Sequence, residues 1–166
     1  MQEDIRRVMT RELEAFAREV ELFPDDDSLW RTLPGVANSA GNLALHVCGN
    51  LKHFVGAVLG ASGYVRRREA EFAARSGRRE DVARQLREAA GVVTAVLPRL
   101  PRGVLEAPYP EPHDGVQLRC DAFLLHLCVH LAFHLGQAGY LRRALTGDAR
   151  SSGAVSLAAL AKPDRG

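Results

Sequence analysis

Between His126 and Gln137 the chain reads HLCVHLAFHLGQ, three histidines at intervals of four in an otherwise apolar run. Each residue of an α-helix advances roughly 100°, so a step of four returns to about +40° and the three rings share one face. That face is not an ordinary core stripe. A buried imidazole needs partners for both ring nitrogens, and leaving one unsatisfied costs roughly 1–3 kcal/mol. Any fold this chain adopts must bring polar groups, or a metal ion, against this one helix.

The remainder of the chain obeys the same period. Apolar residues recur at helical spacing and long alternating β-branched runs are missing, which makes the fold class all-α. A first helix is predicted over about 4–23, with Ile5, Val8, Leu13, Phe16, Val20 and Leu22 as its apolar side, ended by FPDDD. A second, over about 39–59, opens on the N-cap residues Asn38 and Ser39 and stops at GASG. A third runs over about 80–97, burying Val82, Leu86, Ala89, Val93, Val96 and Leu97, and a fourth over about 118–145, ending at Gly147. The charged stretch YVRRREAEFAARSGRRED reads as a solvated arm with a short exposed helix. LPRLPRGVLEAPYPEPHDG is too rich in proline for helix or central strand and reads as a long loop. Four long amphipathic helices point to an antiparallel-type four-helix bundle over residues 1–150, with 151–166 a tail holding one weak helical turn.

At 166 residues one domain buries roughly two-thirds of its unfolded surface, so a metal here is expected to serve function rather than to staple the fold. The 22 Lys+Arg against 20 Asp+Glu leave a net charge of only +2, which argues against a nucleic-acid partner. Cys48, Cys120 and Cys128 are odd in number and form no Cys-x-x-Cys pair, so a reducing cytoplasm is expected. Neither an apolar signal core nor a window of roughly 18 apolar residues is read, so the expectation is a soluble chain without a membrane partner.

Helix geometry restricts which histidines can share an ion. His130 and His134 are about 6 Å apart along the axis, as are His126 and His130, whereas His126 and His134 are about 12 Å apart, too far for two bonds of roughly 2.1 Å. The pair is therefore 126 with 130 or 130 with 134. A third ligand should come from the second helix, where NSAGNLALHVCGNLKHF sets His46 among Asn42, Gly49, Asn50 and His53 on one polar face. His46 and His53 lie about 10.5 Å apart along that helix, so only one of them joins. Cys48 and Cys128 each sit two residues from a histidine, about 200° away, and read as small buried hydrophobes. His113 reads as exposed. With no Glu-x-x-His motif, ferritin-like di-iron chemistry is excluded.

These paired motifs, NSAGNLALHVCGNLKHFVGAVLG and HLCVHLAFHLGQAGYLRR, with REAEFAARSG between them, resemble the DinB-like (DinB/YfiT-like) superfamily of small metalloenzymes. The resemblance implies an up-down-down-up four-helix bundle, a mononuclear site of His46, His130 and His134, a divalent metal that is zinc, nickel or iron, and a homodimer. Some relatives are thiol-dependent, among them bacillithiol transferases and a mycothiol-dependent maleylpyruvate isomerase. The chain is more similar to an uncharacterised branch, and it has GQA where relatives commonly continue GQI.

Three neutral imidazoles leave an ion its full charge and an open position, able to bring a bound water or low-molecular-weight thiol toward neutrality as a nucleophile for a small electrophilic substrate. Asn50, His53, His126 and Gln137 are the candidates to surround the ligands, and Tyr109 is a candidate for the pocket mouth. The Arg-rich stretch over 66–79 is where a partner or anionic substrate is expected to dock. Two other classes stand beside the enzyme: a non-catalytic metal-binding or stress-related interaction protein, and a metal-free bundle acting through its surface.

Overall fold

Glu3 and Asp4 place acidic charge in the first turn of α1 (Gln2–Glu21), where the helix dipole favours it, and Ile5, Met9, Leu13, Phe16 and Val20 then repeat into the core. A computed structural model describes residues 1–161; residues 162–166 of the tail lie outside the described residues. After α1, Asp25 caps a short α2 (Asp26–Leu29) by accepting from the Ser28 amide at 2.7 Å. Ser39 and Asn42 form a capping box at the start of α3 (Ala40–Leu51), which passes without a break into a π-helical turn, Lys52–Leu59. Then come α4 (Arg68–Ala73), α5 (Arg79–Val96) with a 3-10 turn Leu97–Arg99, α6 (Cys120–Thr146) and α7 (Leu157–Ala161). Gly147 closes α6 in the left-handed conformation, φ +70°, as expected of a glycine past a helix end.

The fold is all-helical. Helix α1 packs on α5 and α6, and α3 packs on the same two, so the four long helices form a closed ring of neighbours around one core. Phe23 meets Arg79 while Gln2 reaches Leu97, so α1 and α5 run antiparallel. His46 meets His130 while Phe54 meets Phe123, 5.1 Å between ring centroids in both cases, so α3 and α6 also run antiparallel. All three cysteines are free and buried, as expected of small hydrophobes. Burial pushes the Cys48 thiol up to about 12 and the Cys128 thiol to about 11, which makes both poor nucleophiles.

Three expectations need correction. The stretch over 66–79 is not a simple solvated arm, because Glu71 is buried against α3 and is paired with a half-buried Arg66. Tyr109 is no pocket mouth: it is 2% exposed, packs its ring 4.3 Å from that of Phe123, and donates its hydroxyl to the Phe54 carbonyl at 2.7 Å. Finally, α6 is long and apolar enough to cross a membrane by length and composition, although no run of apolar residues announced it. Here it lies against α1 and α3 with Leu124, Leu127, Leu131, Leu135 and Ala138 facing the core, while His130 and His134 are half-buried beside α3 and His126 is exposed.

The tail returns to α1 and α6. Arg18 donates to the Ser152 carbonyl at 2.8 Å, and the Val155 amide donates to Glu12 at 3.3 Å. Arg142, fully buried on α6, forms an ion pair with the buried Glu19 at 2.5 Å and donates to the carbonyls of Asp148 and Arg150.

Candidate metal centre

The antiparallel crossing of α3 and α6 puts His46 level with His130 and His134. Nε2 of His130 lies 3.1 Å from Nε2 of His46 and 3.1 Å from Nε2 of His134, and the three ligand atoms all fall within 4.8 Å of one another. His46 is buried while His130 and His134 are half-buried, so the cluster is closed on the α3 side and open on the other.

The outer ring nitrogens decide where the protons sit. Nδ1 of His46 faces Glu71 Oε2 at 3.1 Å, and Nδ1 of His134 faces Gln137 Oε1 at 2.8 Å. Gln137 Oε1 is an acceptor, so His134 carries its proton outside and turns an Nε2 lone pair inward, while Nδ1 of His46 meets both the Glu71 carboxylate and, also at 3.1 Å, the donor Nη2 of Arg66. His130 has at most one proton on its own Nε2 and cannot satisfy both neighbours. Three imidazole nitrogens converging with too few protons among them fit a cation, and the donor set suits a divalent transition metal. The carboxylate–histidine pair on His46 is the arrangement that commonly orients a metal-bound imidazole.

Glu71 is itself held on three sides. Arg66 grips it with two parallel hydrogen bonds of 2.8 Å, Nε to Oε1 and Nη2 to Oε2. The Asn42 side chain, already part of the α3 capping box, donates to the carbonyls of Glu71 and Ala74 at 3.0 and 2.9 Å and so pins α4 to α3. Gly49, one turn past His46, leaves the room: a Cβ there would stand 1.9 Å from Glu71 Oε1. Burial raises the Glu71 pKa, but the hydrogen bonds from Arg66 and His46 outweigh it, and the net value is lowered, so the carboxylate is ionised at neutral pH.

Gly49→Ala is therefore expected to push the Glu71 carboxylate off His46 and to weaken metal affinity about 10–100-fold, the usual effect of losing such an outer partner, while the helices stay folded. Competition titration against a colorimetric chelator checks it, with Glu71→Gln as the parallel variant. Unchanged affinity in both would mean that Glu71 has no part in the site.

His130 carries the strongest electrostatic signature. Burial first, then the neighbouring His134 and His46, depress its pKa from 6.5 to about 3, and burial lowers that of His134 as well. Between those values the unfolded chain binds more protons than the folded one. Stability is thus fully present above about pH 6.5 and falls as pH drops toward about 3. Urea melts of metal-free protein should show that loss, and His130→Ala should flatten it; parallel pH profiles for the two proteins would contradict the assignment.

Of the other sequence candidates, Gln137 is at the site, hydrogen-bonded to His134. Asn50 lies one turn past His46 on the same face, buried, with its Oδ1 lacking any partner. His126 is exposed and only stacks loosely on His130, 6.2 Å between centroids. His53 is turned toward Glu111 at 3.5 Å rather than toward the three rings. His113, on the loop, has its ring 5.2 Å from that of Phe54. Arg66 and Glu71 were missed by sequence reasoning, since a charged run over 66–79 hides the one carboxylate that is buried; the signal for it was Gly49, a gap in the polar face beside His46.

Among curated proteins a comparison finds no match. A family model described as the DinB superfamily matches residues 9–138, a span that contains α3, α4, α5 and the three clustered histidines of α3 and α6. The chain belongs to the DinB superfamily.

Proposed function

We propose that His46, His130 and His134 hold one divalent transition metal ion, zinc, nickel or iron, and that the protein is a metal-dependent enzyme acting on a small electrophile with a low-molecular-weight thiol or water as nucleophile. The observation that carries this reading is the convergence of three Nε2 atoms, with two of the rings, His46 and His134, held from the far side by Glu71 and Gln137. Bound there, such an ion lowers the pKa of a coordinated water or thiol toward neutrality. The chain supplies the rest. Glu71 and Arg66 fix the orientation of His46, Gln137 that of His134, and the unpartnered Asn50 oxygen offers a hydrogen-bond acceptor one turn along α3 from His46.

The same family membership supports an up-down-down-up order of the four long helices, to which the antiparallel α1/α5 and α3/α6 pairs lend support. It also supports a homodimer. Exposed Leu125, Val129, Phe133 and Tyr140 give α6 an apolar outer surface that a second copy would cover. A cytoplasmic location, with neither nucleic acid nor membrane as partner, completes the proposal.

The test is a thiol-conjugation and hydrolysis screen of metal-loaded protein across several classes of electrophile, with His46→Ala as control. Turnover lost in the variant supports the enzyme. Full metal occupancy with no turnover on any electrophile would favour the non-catalytic metal-binding reading.

A further inference from the structure

A cavity adjoins the cluster beside His134. It encloses about 570 Å³, within the range of small-molecule sites, and His134 and Gln137 form the end nearest the three rings. Its walls are Leu33 and Val36 from the loop before α3, Leu43 from α3, and Leu141 from α6. Among the described residues no Asp, Glu, Lys or Arg lines it. In protein without metal an anion here meets no countercharge from the walls, whereas an uncharged apolar group gains by the transfer.

Gln137 adds a direction. Its Oε1 faces the outer nitrogen of His134, which leaves the amide Nε2 without a protein partner beside the cavity. That group has two N–H donors and no acceptor capacity, so it selects for an acceptor on whatever fills the space.

We propose that this cavity is the substrate subsite of the centre and that it takes a neutral, largely apolar molecule bearing a hydrogen-bond acceptor such as a carbonyl, held by Gln137 Nε2 close to His134. The assignment rests on the metal-enzyme reading for its relevance to catalysis, while binding itself depends only on the cavity.

Fluorescence titration tests it with two probes. One is 6-propionyl-2-(dimethylamino)naphthalene, a neutral ketone whose emission reddens when its carbonyl accepts a hydrogen bond. The other is the anion 8-anilinonaphthalene-1-sulfonate. With protein freed of metal by chelation, the neutral ketone is expected to bind at least about ten-fold tighter than the anion, a difference of about 1.4 kcal/mol. Ala144→Trp and Val36→Trp, which fill the cavity from exposed positions on α6 and on the loop, should each weaken the ketone about ten-fold with helical content unchanged. Gln137→Leu should leave the ketone bound but shift its emission to the blue. Equal or tighter binding of the anion, or titration curves unmoved by both tryptophans, would overturn the assignment. An emission unchanged in Gln137→Leu would overturn the role of the amide. Metal content measured before chelation separates the two ideas, since ketone binding by a protein that held no metal as purified supports the cavity while counting against the metal reading alone.

Discussion

Purified His130→Ala is expected to contain less than about one-tenth of an equivalent of transition metal where the wild type contains about one. His130 is the middle ring of the three, 3.1 Å by Nε2 from each of the others, so its loss leaves His46 and His134 without the nitrogen between them. The fall should exceed the about 10–100-fold loss of affinity expected when only an outer hydrogen-bond partner is removed, which makes Gly49→Ala and Glu71→Gln the internal scale. Elemental mass spectrometry on untagged protein measures it. Metal retained at about one equivalent in His130→Ala would show that the ion binds elsewhere, and a wild type unable to take up zinc or nickel would leave the histidines as a polar core network.

The largest expected effect on stability lies away from this centre, at Arg142. Its guanidinium is fully buried and forms an ion pair with Glu19, itself 2% exposed, while donating to two carbonyls of the tail. Arg142→Met fills a similar volume but leaves a buried carboxylate unpaired, at a cost of about 3–5 kcal/mol. For a chain of this size that amounts to a fall in Tm of about 10 °C. The double variant Arg142→Met with Glu19→Met should recover most of the loss, because replacing both members of a buried pair with apolar residues is close to neutral. Urea denaturation of the wild type and both variants gives the answer. A single-variant loss under about 1 kcal/mol would mean that water reaches the pair.

Much of this was legible in the sequence, and the reason is periodicity. The four long helices fall within a few residues of their expected bounds, because apolar spacing at 3.6 residues, the Ser39 cap and Gly147 are local signals. The histidine spacing alone left two pairs open, 126 with 130 and 130 with 134. Only the packing of α3 on α6 sets His46 beside the second pair, and that register is a tertiary property. Glu71 was invisible for a related reason: its burial comes from Asn42, Gly49 and Arg66, three residues distant in sequence whose joint effect no local pattern expresses. Tyr109 was misjudged because a proline-rich loop can carry a side chain back into the core.

The bonds from Asn42 to the Glu71 and Ala74 carbonyls bear on how an ion could enter and leave. A helix of six residues, Arg68–Ala73, is too short to persist on its own, so its order is lent by contacts with α3: the Asn42 amide, the Glu71–His46 bond and the Phe72 ring 4.7 Å from that of His46. An opening confined to this segment would carry Glu71 and Arg66 away while α3 and α6 kept the three rings in register. Metal exchange and global unfolding would then proceed through different barriers, and the lifetime of the loaded state would be set by the local one. Backbone amides of this segment would exchange with solvent faster than those of α3 and α6, and slow down when the centre is filled.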